Sequence, residues 1–159
     1  MIARLDGMGE RKDMKSTRIF LFLFTSLLVT MIPAIAAGWG DDYKAALADA
    51  AKQNKNVLLD FTGSDWCGWC IKLKKETFNQ PAFKEFADKN LVLVEVDFPQ
   101  GKTLPPAVKK QNDQLQEQYQ VQGFPTLVVL NPQGKIIKQQ SGYIPGGPKG
   151  FIDWLNSSN

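Results

Sequence analysis

The chain contains no histidine and only two cysteines in 159 residues, and its four methionines all fall within the first 31 positions. Without histidine there is no Cys–His dyad, no Ser–His triad and no covalent c-type haem attachment. A structural zinc site wants four ligands of the Cys/His kind, which two cysteines cannot supply, so no metal site is expected. Copper carriage by two soft thiolates is a rival use of the pair, weakened by the lack of histidine or of any methionine near it. A large excess of charge of one sign is missing as well. The formal net charge is +3, from 19 basic and 16 acidic residues. Residues 1–36 hold five of the basic ones (Arg4, Arg11, Lys12, Lys15, Arg18) and three of the acidic ones (Asp6, Glu10, Asp13). The remainder carries 14 against 13, a net charge near +1. Nucleic acid is therefore not an expected partner. Lys72, Lys74 and Lys75 are expected to form a solvated helix face with a local effect on nearby thiols.

The two cysteines stand together in Trp66-Cys67-Gly68-Trp69-Cys70. If Cys67 occupies the first turn of a helix, Cys70 lies three residues on along the same face, where neighbours sit about 5–6 Å apart. That separation suits a disulfide, whose Cα atoms lie about 4.4–6.8 Å apart. Unpaired N–H groups at a helix start favour thiolate over thiol. Cys67 is thus the expected nucleophile and Cys70 the resolving thiol. A loop this short removes little entropy from the unfolded chain, so a reversible redox pair is favoured over a structural staple.

The N-terminus has the three parts of a secretory signal: basic residues up to Arg18, an apolar run from Ile19 to Ile32, and Ala34-Ile35-Ala36 as a small-residue cleavage site. Residues 1–36 are assigned to a signal peptide cleaved after Ala36, and residues 37–159 to one domain in an exported, periplasmic setting. An uncleaved membrane anchor is the alternative, since Ile19 to Ala37 approaches the ~20 apolar residues of a spanning helix. Met14 is a second candidate start.

Beyond the signal, Tyr43, Ala46, Leu47 and Ala50 recur at helical spacing, with Asp41 or Asp42 as N-cap. Val57-Leu58-Leu59-Asp60-Phe61 predicts a strand buried on both faces. Thr62-Gly63-Ser64-Asp65 turns the chain into the Cys67 helix, which Asn79-Gln80-Pro81 breaks or kinks before a continuation carries Phe83 and Phe86 inward. Leu91 to Phe98 is the next strand. Ala107 to Tyr119 suits a largely exposed helix. Asn131-Pro132-Gln133-Gly134 marks a turn between strands Leu127–Leu130 and Lys135–Gln140, and Phe151, Ile152, Trp154 and Leu155 give a terminal helix. The order is helix, strand, helix, strand, helix, strand, strand, helix. It predicts an α/β fold, a central mixed β-sheet flanked by helices on both faces, with the dithiol at the C-terminal end of the first strand.

Two motifs carry a family resemblance: Trp66-Cys67-Gly68-Trp69-Cys70 after the Leu-Leu-Asp-Phe strand, and Tyr119-x-Val121-x-Gly123-x-Pro125-Thr126 about 55 residues later. In this order, ahead of a hairpin, the chain resembles the thioredoxin-fold family over nearly the whole of residues 37–159. The wording Phe61-Thr62-Gly63-Ser64-Asp65-Trp66-Cys67 and Val94-Glu95-Val96-Asp97-Phe98-Pro99 is similar to exported bacterial thioredoxin-like reductases, the DsbH type and the C-terminal domain of DsbD. The resemblance implies that Pro125 is a cis-proline facing the dithiol, preceded by Phe124, whose backbone pairs with an extended substrate. It further implies that Asp60 lies behind the resolving cysteine and takes its proton. A strand-end carboxylate in partial contact with solvent is the other reading of Asp60, because a carboxyl in an apolar strand is costly unless paired or put to use. Gly68-Trp69 replaces the Gly-Pro of many thioredoxins, and Glu95 stands where many carry a lysine. Trp66 and Trp69 are expected as surface rings beside the site, Asp65 as a turn residue, Tyr119 and Val121 as core.

These features together predict an exported thiol–disulfide oxidoreductase, a monomeric reductase of protein disulfides with no cofactor beyond the Cys67–Cys70 disulfide. Its expected partners are disulfide-containing exported proteins and a membrane thiol reductant such as a DsbD-type conductor. An isomerase, a chaperone or an oxidant on the same fold is the alternative.

Overall fold

The computed structural model describes residues 38–157, so the signal segment, its cleavage site and the Ile19–Ile32 run lie outside the described residues. A five-stranded sheet is built from β1 (Trp39–Gly40), β2 (Asn56–Thr62), β3 (Leu91–Asp97), β4 (Thr126–Leu130) and β5 (Ile136–Ser141), in the spatial order β1-β3-β2-β4-β5. The first three strands are parallel and the last two antiparallel. Helices α1 (Tyr43–Gln53), α2 (Gly68–Leu73), α3 (Pro81–Asn90), α4 (Pro106–Gln118) and α5 (Gly147–Asn156) complete the fold. Asp42 caps α1 by accepting the Ala45 N–H at 2.9 Å, and Asn54 ends it in the left-handed conformation.

Side chains alternate across a strand, so each long strand feeds two cores. Val57, Leu59 and Phe61 of β2 join Val94 and Val96 of β3 on the face covered by α1 and α4. On the other face, Leu58 meets Leu91, Leu93, Leu127 and Val129 beneath Leu73, Phe83, Ala87 and Phe151. The alternation puts Asp60, Glu95 and Asp97 on this second face, the one against which α2 packs. Asp60 is paired in register with Glu95 on β3 and with Leu127 on β4.

The structure adds a strand that sequence patterning missed. Two residues are too few for any periodicity to show, yet Trp39 and Gly40 pair with Leu93 and Val94 and close the edge of the sheet. Trp39 lies 5.0 Å from the Phe78 ring and 6.5 Å from Phe83, ring centre to ring centre. Past α2 the helix widens into a π-helical stretch, Lys74–Phe78, before Pro81 begins α3. Among the described residues no helix is long and apolar enough to cross a membrane.

The anchoring of β1 makes a stability prediction. Trp39→Ala removes an aromatic contact set that is only partly buried and should cost about 2 kcal/mol, below the roughly 3–5 kcal/mol of fully buried aromatic truncations. A denaturant midpoint that falls by correspondingly less than a Phe83→Ala control would confirm it.

Candidate active site

Strand β2 ends at Thr62, and the next four residues carry the chain to Cys67, which caps α2 with extended backbone geometry instead of occupying its first turn. Cys67 Sγ accepts the Cys70 N–H at 3.2 Å, so the cap is made by sulfur. The two cysteines form a disulfide with their Cα atoms 5.2 Å apart. Both are buried, Cys67 at 7% exposure and Cys70 at 4%.

The loop ahead of Cys67 is tied to the loop after β3. Asp97 accepts the Ser64 N–H at 2.9 Å and the Ser64 hydroxyl at 2.7 Å, and it pairs with Lys102 at 2.8 Å. Burial acts to raise the Asp97 carboxyl, but the hydrogen bonds from Lys102 and Ser64 outweigh it and hold this group below the usual carboxylate range. Asp65, expected as a turn residue, does more. Its carboxylate accepts the N–H groups of Gln100 at 3.0 Å and Gly101 at 2.6 Å, and these bonds keep it ionised to lower pH than usual. Gly63 is glycine for want of room: a Cβ there would lie 2.5 Å from the Trp66 ring.

Two banks of aromatic rings flank the disulfide. Trp66 is 45% exposed, yet its indole N–H donates to the Phe98 carbonyl at 2.8 Å, and its ring meets Phe124 edge to face at 6.0 Å. Phe98 stacks on Phe124 at 5.0 Å. The Phe124–Pro125 bond is cis and Pro125 is buried. On the other side Trp69, 58% exposed, lies 5.4 Å from Tyr143, and the Lys72 ammonium sits about 5 Å over both rings. Tyr143 in turn donates its hydroxyl to Glu76. Trp66, Gly68 and Trp69 thus stand beside Cys67 and Cys70 in the chain, and Phe124 joins them through its contact with the Trp66 ring. Tyr143 was missed because nothing in its local sequence marks it; only the fold of the loop after β5 brings it to Trp69.

Asp60 is 4% exposed, which removes the solvated strand-end reading. One of its carboxyl oxygens, Oδ1, has no hydrogen-bond partner. Burial, then the Glu95 charge, push its pKa up from 3.8 to about 8, with Lys74 opposing and Asp97 adding a little. Lys74 is not part of a merely solvated face: its ammonium pairs with Glu95 at 2.6 Å. It also lines a cavity of about 160 Å³ with Thr62, Ser64, Cys70, Ile71, Lys75 and Asn79. A larger cavity of about 380 Å³ lies elsewhere, between the loop after β3 and α4, lined by Phe98, Pro99, Leu104 and Asn112 among others, and neither cysteine borders it. Among the described residues no cluster of three or more His, Cys, Asp or Glu could hold a metal ion.

A mixed sheet with a cysteine pair at the carboxyl end of a parallel strand, and a cis-proline ahead of the hairpin, defines a thiol–disulfide oxidoreductase of the thioredoxin fold. The chain belongs to the thioredoxin-like family, whose domain description matches residues 43–158. Within it, the chain is 39% identical over 118 residues to the disulfide bond reductase DsbH of Chlamydia pneumoniae, covering 74% of this chain and 70% of that protein. A solved structure of a DsbH oxidoreductase superposes with a TM-score of 0.69 over 76% of this chain and 85% of that one. The oxidised C-terminal domain of DsbD from Neisseria meningitidis, 26% identical, superposes at 0.51 over 70% and 89% of the two chains. The thioredoxin-related protein DsbJ of Chlamydia pneumoniae is 27% identical over 131 residues, which span 77% of this chain and 37% of DsbJ. The chain is thus a DsbH-like thiol–disulfide oxidoreductase with the Cys67–Cys70 pair as its redox couple.

The buried acid makes stability depend on pH in a direction fixed by its charge. A folded pKa of about 8 against 3.8 unfolded means the native state binds the extra proton between those values. Stability therefore falls as pH rises from about 4 to about 8, by up to 1.36 kcal/mol per unit, on the order of 4 kcal/mol by pH 7. In the oxidised protein, Asp60→Asn should raise the unfolding free energy at pH 7 by roughly 2–4 kcal/mol and flatten that slope. Chemical denaturation at a series of pH values measures both, and an unchanged slope would locate the titration elsewhere.

Proposed function

We propose that this protein is an exported reductase of protein disulfides, with residues 1–36 as its cleaved signal and residues 37–159 as the working domain. The observation that carries the reading is the Cys67 cap, where a single sulfur faces the first N–H groups of α2 and takes the Cys70 N–H at 3.2 Å. Donors at this position stabilise a thiolate, the form that attacks. In the forward reaction Cys67 thiolate attacks one sulfur of a substrate disulfide, and the other sulfur leaves as a thiolate and is protonated by solvent. Cys70 then passes its proton to the Asp60 carboxylate, attacks Cys67 Sγ and releases the second substrate sulfur as a thiolate. Two electrons move from the dithiol to the substrate, and the Cys67–Cys70 disulfide remains. With a pKa of about 8, Asp60 is ionised in about one molecule in ten at pH 7, enough to accept a proton and still return it.

The reductase direction is supported by the electrostatics as well as by likeness to a protein named as a reductase. An oxidant holds its thiolate strongly; beyond the Cys70 N–H, this site adds little further positive charge to hold one. The chain has no histidine. Two of the nearby cations are engaged, Lys72 over two aromatic rings and Lys74 on Glu95. Three carboxyl groups, Asp60, Glu95 and Asp97, share the sheet face beneath α2, and like charge opposes a further anion. A weakly held thiolate favours the disulfide form of this protein, which makes the dithiol a strong electron donor. Trp66, Gly68, Trp69, Phe124 and Pro125 form the surface for an extended substrate, and a membrane thiol reductant of the DsbD type restores the dithiol.

Equilibration of residues 37–159 in graded thiol/disulfide buffers, followed by tryptophan fluorescence, should give a reduction potential at or below about −230 mV; a value near −120 mV would make the protein an oxidant instead. Cys70→Ser should accumulate mixed disulfides through Cys67 with exported substrates on non-reducing gels, and Cys67→Ser should accumulate none.

A further inference from the structure

Lys72 is a cation held in position with no anion to meet it. Its ammonium stands 5.1 Å from the centre of the Trp69 ring and 5.0 Å from that of Tyr143. Contact with aromatic faces orients a lysine without cancelling its charge. Among the described residues Lys72 makes no ion pair. Glu76 holds the i+4 position, where a helical lysine ordinarily finds its partner, yet its carboxylate accepts the Tyr143 hydroxyl instead. Trp69, Lys72 and Glu76 are all exposed. The second ring is fixed by the fold. Gly142, with a φ of 90°, donates its N–H to the Pro125 carbonyl at 2.8 Å, and Ile144 is buried in the core. Tyr143 stands between these two anchors, so the loop after β5 ties the lysine clamp to the cis-proline.

We infer that Lys72, set on Trp69 and Tyr143, is a docking point for a carboxylate of the polypeptide whose disulfide is reduced, an Asp or Glu close to the reacting cysteine. This rests on the reading of the protein as a reductase with Trp69 in its substrate surface. The complementarity is one of charge: the clamp presents a positive group beside the dithiol, and the acid that would neutralise it is turned onto Tyr143. The two rings also restrict a side chain that is otherwise rich in rotamers, so less freedom is lost when a carboxylate arrives. Reach agrees as well. From Cys67 to Lys72 the helix rises about 7–8 Å at roughly 1.5 Å per residue. An extended substrate covers that span in about two residues. The pair formed is exposed, so it acts on the rate of encounter and weakens with salt.

The test uses the reduced protein and the symmetrical disulfides of a short peptide with Glu, Gln, Lys or Leu two residues from its cysteine. The peptide thiol released is followed by chromatography, and each rate is divided by that with a small neutral dithiol, which removes the peptide's own reactivity. Each variant is compared with itself across the peptides, so a changed thiol reactivity cancels. At low salt the Glu peptide should react about threefold faster than the Gln peptide and the Lys peptide more slowly than either, with the differences shrinking as salt rises. Lys72→Gln should remove the preference, Lys72→Glu should invert it in favour of the Lys peptide, and Lys72→Arg and Lys75→Gln should keep it. Tyr143→Phe, which releases Glu76, should lessen it. Equal rates for the Glu and Gln peptides, a preference for Leu, or a loss in Lys75→Gln as large as in Lys72→Gln would overturn the inference and leave the reductase reading standing. If the wild type reduces none of the peptides, the reductase reading fails and takes this inference with it.

Discussion

Asp97 ends β3 by turning its carboxylate onto Ser64, from which it takes both N–H and hydroxyl, while Lys102 pairs with it from the following loop. Phe98 donates its N–H to the Thr62 carbonyl, Asp65 holds the Gln100 and Gly101 N–H groups, and the Trp66 indole reaches back to the Phe98 carbonyl. The loop that delivers Cys67 is therefore fixed from both ends of its span. Hydrogen bonds to charged acceptors are the stronger kind, and two of these acceptors are carboxylates held ionised by the donors they gather. Cys67 can cap α2 with its sulfur because the residues before it have no freedom to carry it elsewhere.

The same strands that position the loop create the electrostatic problem beneath it. Alternation along β2 and β3 points Asp60, Glu95 and Asp97 at one face, and each is answered differently. Asp97 gains hydrogen bonds and a lysine, Glu95 gains Lys74, and Asp60 is left with Oδ1 unpartnered and no ion pair of its own. Desolvation then keeps Asp60 protonated well above the ordinary carboxylate range, at a cost to stability that rises with pH. A core could avoid this cost with leucine at that position, as it does at Leu58 on the same strand and face.

Much of the fold was legible because its elements are long enough to show a period. The apolar run at β2, the β-branched run at β3 and the Asn131–Gly134 turn each state their structure locally, and helix α1 begins and ends where its Asp and Asn caps fall. What escaped was short or depended on a distant partner. Strand β1 is two residues long and exists only because β3 offers an edge and Phe78 and Phe83 offer a surface for Trp39. The expectation that Cys67 lies inside the first turn was off by one position: Gly63 to Trp66 form a hydrogen-bonded turn, clamped through Ser64 and Asp65, and Cys67 leaves it with extended geometry as the cap.

The sequence by itself determined the chemistry: two cysteines three positions apart, no histidine to assist them, and a lone acid in an apolar strand. It determined the order of elements too, since hydrophobic period and turn residues are local properties of the chain. The tertiary structure alone decided that Asp60 is buried with its Oδ1 unpartnered, that Lys74 belongs to Glu95 and to the Cys70 cavity, and that Tyr143 and Lys72 stand against Trp69. Burial and charge pairing are set by which strands and helices lie side by side, and residues far apart in the chain acquire these neighbours only when the sheet assembles.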